Sequence, residues 1–222
     1  KVMLFGAMAL TAGLALAACG SSQSSNADKT YSYVFASNPD TLDYITSTRG
    51  STSSITTNLI DGLLENDRYG NLIPSMAESW TVSKDGLTYT YKIRQGAKWY
   101  TSEGEEYADV TAHDFVTGLK YAADKKAENL YLVQDSIKGL ADYVEGKSSD
   151  FGTVGVKAVD DYTLQYTLNQ PETYWNSKTT ASILSPVNEA FLKAKGDDFG
   201  SVTPSSILSN GPYLFKSFTS KS

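Results

Sequence analysis

Apolar residues along the chain recur with two spacings, and the switches between them set out the expected order of elements. In Thr30-Tyr-Ser-Tyr-Val-Phe-Ala36 the aromatics Tyr31, Tyr33 and Phe35 share one face, a period of two that predicts a strand. Asn38-Pro-Asp-Thr-Leu-Asp43 interrupts it. From Ser51 the spacing lengthens: Ile55, Leu59, Ile60, Leu63 and Leu64 fall on one helical face behind a Ser/Thr-rich start that offers N-caps. Asp67-Arg-Tyr-Gly-Asn71 predicts a turn, and Leu72 to Trp80 a short helical or irregular entry to the next strand. The clearest local signal is a hairpin. Trp80-Thr-Val82 and Leu87 to Arg94 flank Ser83-Lys-Asp-Gly86, and Asp85-Gly86 supplies the left-handed backbone that a tight reversal needs. Leu87, Tyr89, Tyr91 and Ile93 then line one face and Thr88, Thr90, Lys92 and Arg94 the other, so one side of that sheet is buried and the other wet.

Further along, Thr111-Ala-His-Asp114 resembles a capping box and opens a helix continued by Phe115, Leu119 and Ala122-Ala123. A second helix is predicted over Leu130 to Val144, with Leu130, Val133, Ile137, Leu140 and Val144 on its inner face. Val156 to Val159 and Tyr162 to Leu168 flank Asp160-Asp161 as another hairpin. Asn188 to Lys195 predicts a short helix closed by Gly196, and Tyr213 to Phe218 a last strand. Helices and strands mix without strict alternation, which places the chain in the mixed α/β (α+β) class.

Composition narrows the chemistry. The chain has 12% aromatic residues, 15 of them Tyr, ample for a packed core. A net charge of −6 argues against a sequence-independent nucleic-acid binder. With 1 His and 1 Cys there is no disulfide, no Cys or multi-His metal site and no His-based triad. Glu103, Glu105 and Glu106, and likewise Asp197 and Asp198, lie in polar Gly-containing loops and read as solvated surface. Asn66 to Asn71 lacks the spacing and closing Glu of an EF-hand, and no phosphate-binding Gly motif is present. Neither enzymatic activity nor a cofactor or metal is expected.

The single cysteine has a distinctive setting. Lys1 precedes the apolar run Val2 to Ala18, then come Cys19 and the polar tether Gly20-Ser-Ser-Gln-Ser-Ser-Asn26. That order reads as a secretory signal, and Leu16-Ala17-Ala18-Cys19 resembles the lipobox of bacterial lipoproteins. The resemblance implies cleavage before Cys19 and acylation of its thiol, each buried CH₂ contributing about 0.8 kcal/mol to membrane attachment. About 204 residues would then remain of the 222. Because the chain begins at Lys1 and stops at Ser222 just after a strand-like run, it reads as an N-terminal fragment.

One stretch is more specific than any single motif. Leu72 to Trp99 runs Pro-x-x-Ala-x-x-Trp, Asp-Gly, an aromatic-alternating strand, an Arg and Lys-Trp. It resembles the signature region of the oligopeptide-binding lipoproteins of ABC importers, solute-binding protein family 5, of the streptococcal kind. Leu42-Asp43, Leu59-Ile-Asp-Gly-Leu-Leu64, Thr111 to Val116, Gly155 to Leu168 and Asn210-Gly-Pro-Tyr213 match other segments in order. Tyr44 stands where the family has proline, and the loop after Trp99 is longer and more acidic. The resemblance implies the first lobe of a two-lobed, periplasmic-binding-protein-like clamshell, its second lobe beyond Ser222. Residues 1–18 would be signal peptide and 19–28 lipidated tether, with 29–58 and 188–222 in a core domain and 59–187 in a nested domain. It further implies a cell-membrane protein, lipid-anchored on the extracellular face, that binds oligopeptides extended between the lobes and serves permease and ATPase subunits. On this resemblance Thr48, Arg49, Gly50 and Ser51 sit where a loop meets peptide backbone, and Tyr131 lies near a cleft aromatic; a core position for Tyr131 stays open. A surface adhesin or a signalling-peptide receptor on the same scaffold is the alternative.

Overall fold

The computed structural model describes Val34 and residues 37–220. Cys19 with its apolar leader, and all of the expected 30–36 strand except Val34, lie outside the described residues. Helix α1 (Gly50–Thr56) comes first, and it is shorter than the Ser51 to Leu64 spacing predicts. Its residues are Gly, Ser, Thr and Ile, all modest or poor helix formers. The chain beyond finds extended partners instead. Leu59 O accepts the N–H groups of Asn210 and Gly211, Leu63 O those of Ser75 and Ala77, and Gly62 O that of Met76. Leu59, Ile60, Leu63 and Leu64 are buried all the same, so helical spacing here marks a segment enclosed on several sides.

Strands β1 (Leu64–Asn66) and β2 (Leu72–Pro74) pair across the expected Asp67 to Asn71 turn. The Leu72 to Trp80 region is extended, not helical, and continues into β3 (Ala77–Val82). With β4 (Thr88–Ile93) it forms the expected hairpin, Val82 opposite Tyr89. Gly86 takes φ +72° and the Asp85 carboxylate accepts from Leu87 N–H at 3.0 Å, closing the turn. Tyr89, Tyr91 and Ile93 are buried while Lys92 is exposed, as a half-buried strand requires. The short strands β5 (Lys98–Tyr100) and β6 (Glu106–Asp109) flank the acidic loop.

Helix α2 (Ala112–Asp124) begins with the expected capping box between Thr111 and Asp114, and Phe115, Leu119, Ala122 and Ala123 form its buried face. Asp114 also accepts from the Trp99 indole at 3.1 Å, and burial pushes its carboxyl up to about 6. The helix predicted over Leu130 to Val144 is divided. A 3₁₀ turn (Glu128–Leu132) leads to an irregular stretch, and α3 (Leu140–Val144) starts only after Gly139 at φ +71°. The break comes from competition by the sheet: Lys138 N–H donates to Thr167 O and Lys138 O accepts from Gly155 N–H. Leu130, Val133, Ile137 and Leu140 face inward even so.

Strands β7 (Val156–Asp160) and β8 (Thr163–Thr167) complete an antiparallel four-stranded sheet of order β3-β4-β8-β7. Helix α4 (Trp175–Lys178) seats Trp175 on its inner face, 6.2 Å from the Tyr89 ring and 5.3 Å from Tyr166. Burying each such ring contributes about 2 kcal/mol or more, so this aromatic layer dominates the packing. Opposite, α2 passes so close to the segment before α5 (Glu189–Lys195) that a Cβ on Gly118 would stand 2.2 Å from Ser185 O. Asn188 caps α5 through Phe191 N–H at 3.0 Å, and Gly196 closes it. Tyr213 to Phe218 is not a strand: Tyr213 N–H donates to Asn58 O, and no ladder follows among the described residues. Phe215 packs into the core there without strand pairing.

Candidate functional site

The loop that carries Thr48 to Ser51 is held from beneath by a buried carboxylate. Asp43 accepts from Ile45 N–H at 3.0 Å, Thr46 N–H at 3.1 Å, Thr46 Oγ1 at 2.6 Å and the Tyr121 hydroxyl at 2.9 Å. Those four donors satisfy a charge that would otherwise be costly to bury. The turn is fixed at its start by Leu42 N–H and Thr41 Oγ1, both donating to Gly200 O. Tyr44 donates its hydroxyl to Pro186 O at 2.8 Å. Burial raises the Tyr44 and Tyr121 hydroxyl pKa values, so both stay protonated donors. A hydroxyl chain, Ser47 Oγ to Thr52 Oγ1 to Thr41 O, ties the far side of the loop to α1.

With its inner side occupied, the loop turns Thr48, Arg49 and Gly50 outward, all exposed, and leaves Ser51 half-buried. Arg49 stands at the N-cap of α1, and its Nε lies 2.9 Å from Asp40 Oδ2, both groups largely in solvent. Such an exposed pair contributes little stability, well under about 1 kcal/mol, and is free to exchange partners.

The second candidate segment lies against the first. Thr48 Oγ1 donates to Glu128 Oε2 at 3.3 Å, and the buried Asn129 donates Nδ2 to Ile45 O at 3.2 Å. Tyr131, on the same 3₁₀ turn, is 75% exposed, which decides against a core role for it. The structure therefore brings Thr48 and Tyr131 onto neighbouring segments. Asp40, Asp43, Tyr121 and Asn129 were missed as supporting residues. Asp43 had a signal in the Leu42-Asp43 pair; Asn129 had none, since its partner is a backbone carbonyl 84 positions away.

Chemically, this surface offers a phenol, a loosely paired guanidinium, a hydroxyl and open loop backbone. These are groups that stack on and hydrogen-bond to amides. Among the described residues there is no group of three or more His, Cys, Asp or Glu that could hold a metal. His113 lies on α2 against Asp161, 3.3 Å away, with no nucleophile assigned to it.

Comparison with known proteins assigns the family and the fold. The model of the bacterial extracellular solute-binding proteins, family 5 Middle, matches residues 71–222. The chain belongs to this family. As a family 5 solute-binding protein it is 65% identical over 222 residues to the oligopeptide-binding protein AliB of Streptococcus pneumoniae, covering 100% of this chain and 34% of that one. It is 63% identical over 230 residues to the oligopeptide-binding protein SarA of Streptococcus gordonii, covering 100% of this chain and 35% of that one. Listeria monocytogenes OppA bound to peptide superposes with a TM-score of 0.71 at 33% identity, over 79% of this chain and 33% of that one. The mixed α/β fold is thus that of the OppA-like binding proteins, and this family 5 chain spans about a third of the length of its curated relatives.

Proposed function

We propose that this protein is the substrate-binding component of an ABC importer, lipid-anchored on the extracellular face of the cell membrane, which captures oligopeptides and delivers them to the permease. The observation that carries the reading is the exposed Tyr131 beside the pinned Thr48–Ser51 loop, in a fold that superposes on a peptide-bound relative. Thr48, Arg49, Gly50 and Ser51 contact peptide backbone, and Tyr131 packs against it. Binding is the whole task; no step of chemistry is assigned. The division into residues 29–58 with 188–222 and 59–187 belongs to the same reading. The anchor rests on the sequence Leu16-Ala17-Ala18-Cys19 alone. Acylation there keeps a freely tethered binder beside its permease. Among the described residues no helix is long and apolar enough to cross a membrane.

The test is mass spectrometry of peptides that co-purify with the intact protein, followed by titration with a defined pool. Co-purified peptides, and at least tenfold weaker binding by Tyr131→Ala, are expected. A preparation free of peptide, with no thermal shift against a mixed library, would sink the reading, and cleavage of bound peptide would replace it with an enzyme. For the anchor, Cys19→Ser is expected to abolish partition into detergent phase; unchanged partition would overturn the acylation.

A further inference from the structure

The other end of α1 borders a second site. A cavity of about 220 Å³ opens between Thr56 and Thr57 at the close of that helix, the β1 strand and the Thr180–Ser185 segment. At about 1.5 Å per residue, the seven residues of α1 separate it from the Arg49 end by about 10 Å. Ser75 and Ser185 line it; both are more than nine-tenths buried, at 9% and 7% exposure. Neither hydroxyl has a hydrogen-bond partner among the described residues, although the backbone of each is engaged. Each residue is buried, but neither hydroxyl oxygen is sealed from solvent, so both are open to hydrogen-bond a molecule that enters the cavity.

Two carboxylates share the cavity. Asp61 and Glu65 line it and form neither an ion pair nor a side-chain hydrogen bond among the described residues. Asp61 is fixed through its backbone: its N–H donates to Asn210 Oδ1 and its carbonyl accepts from Asn210 Nδ2, each at 3.0 Å. Partial burial and the neighbouring charge of Glu65 raise its carboxyl pKa, the sign of a site short of positive charge. Among the described residues no Lys or Arg lines the cavity; Arg94 reaches the Ser75 carbonyl from outside. Ile60 and Leu64 add an apolar wall.

We propose that this cavity binds a small organic cation through its primary ammonium group. The Asp61 carboxylate supplies the counter-charge, the Ser75 and Ser185 hydroxyls accept its N–H groups, and Ile60 and Leu64 hold its carbon chain. An ammonium has three donors and no acceptor, which suits a site made of acceptors. A divalent metal fits less well, since calcium takes 6–8 oxygens and magnesium near-ideal octahedral geometry, as generally observed, at about 2.0–2.6 Å. Liquid water occupies about 30 Å³ per molecule, so the volume admits a short alkylammonium ion.

The experiment is calorimetric titration of the full chain with n-butylammonium, with tetramethylammonium as a cation of equal charge that lacks N–H donors. Saturable binding is expected, at least about tenfold weaker for tetramethylammonium, about tenfold weaker in Asp61→Asn and several-fold weaker in Ser185→Ala. Nα-acetyl-lysinamide identifies the source of the ammonium: tighter binding than butylammonium assigns a lysine side chain, weaker binding a free amine. Equal affinity for tetramethylammonium, an unchanged Asp61→Asn, no saturation at about 50 mM, or displacement of butylammonium by magnesium would each overturn the proposal. Thermal unfolding checks that Asp61→Asn keeps its fold; if it does not, Glu65→Gln combined with Ser185→Ala decides, and retention of full affinity there counts against the site. Peptide binding at Tyr131 is measured separately, so failure of one reading leaves the other standing.

Discussion

Gly118→Ala sets two physical effects against each other, and the geometry says which wins. In a helix interior Ala is favoured over Gly by about 1 kcal/mol, so helix propensity alone predicts a gain for α2. The added methyl, however, would stand 2.2 Å from Ser185 O, against 3.4–4 Å for an ordinary contact. The strand-like segment would have to retreat by about 1.2 Å. It is not free to do so, because Val187 N–H is bonded to Asp114 O at 2.9 Å, one turn earlier on the same helix. Overpacking costs about 1–3 kcal/mol, and loss of that hydrogen bond about 1 more. After the propensity gain, a net loss of about 2 kcal/mol remains, a fall of about 4–8 °C in Tm for a domain of this size. Urea unfolding followed by tryptophan fluorescence reads it as a lower midpoint with an unchanged slope. Gly50→Ala, with nothing within 4 Å of its Cβ, is the control and is expected to hold or gain stability. A Gly118→Ala protein as stable as its parent would refute the close-approach argument.

Other expectations use different handles. Asp114 has its carboxyl raised to about 6 by burial, so the folded state holds a proton that the unfolded chain releases nearer 3.8. The contribution of this group is therefore full below about pH 4 and falls as pH rises toward 6, by up to about 3 kcal/mol; Asp114→Asn should flatten that slope in unfolding measured across pH 4–7. Asn210→Ala strips two hydrogen bonds from the backbone of Asp61 and is expected to cost about 2–4 kcal/mol in urea unfolding, a neutral result contradicting the clamp. Tyr131→Ala and Arg49→Ala, at exposed positions, should stay within about 0.5 kcal/mol of the parent, whereas Asn129→Ala, which frees the buried Ile45 carbonyl, should lose about 1–3 kcal/mol.

Elements whose partners are near in sequence were legible from residue pattern. The β3–β4 and β7–β8 hairpins, the Thr111–Asp114 box and the Asn188-to-Gly196 helix all depend on local turn and cap chemistry, and each formed as expected. The errors share one cause. Leu63 and Leu64, Lys138, and Tyr213 to Phe218 take conformations set by distant backbone, such as Met76 on Gly62 or Gly155 and Thr167 on Lys138. Apolar spacing named the buried side chains correctly there and misread the backbone. For the candidate site, the resemblance pointed to Thr48 to Ser51 and Tyr131, whereas the Asp43 and Asn129 braces depend on contacts that no spacing encodes.

The bracing of the Thr48–Ser51 loop has an evolutionary consequence. The residues that hold its shape, Asp43, Thr52 and Asn129, are buried, whereas Thr48, Arg49 and Tyr131 project outward. Changes to the projecting set alter the chemistry of the surface without disturbing the frame beneath. Duplicated copies of such a gene can therefore diverge in surface chemistry one substitution at a time, each intermediate still folding.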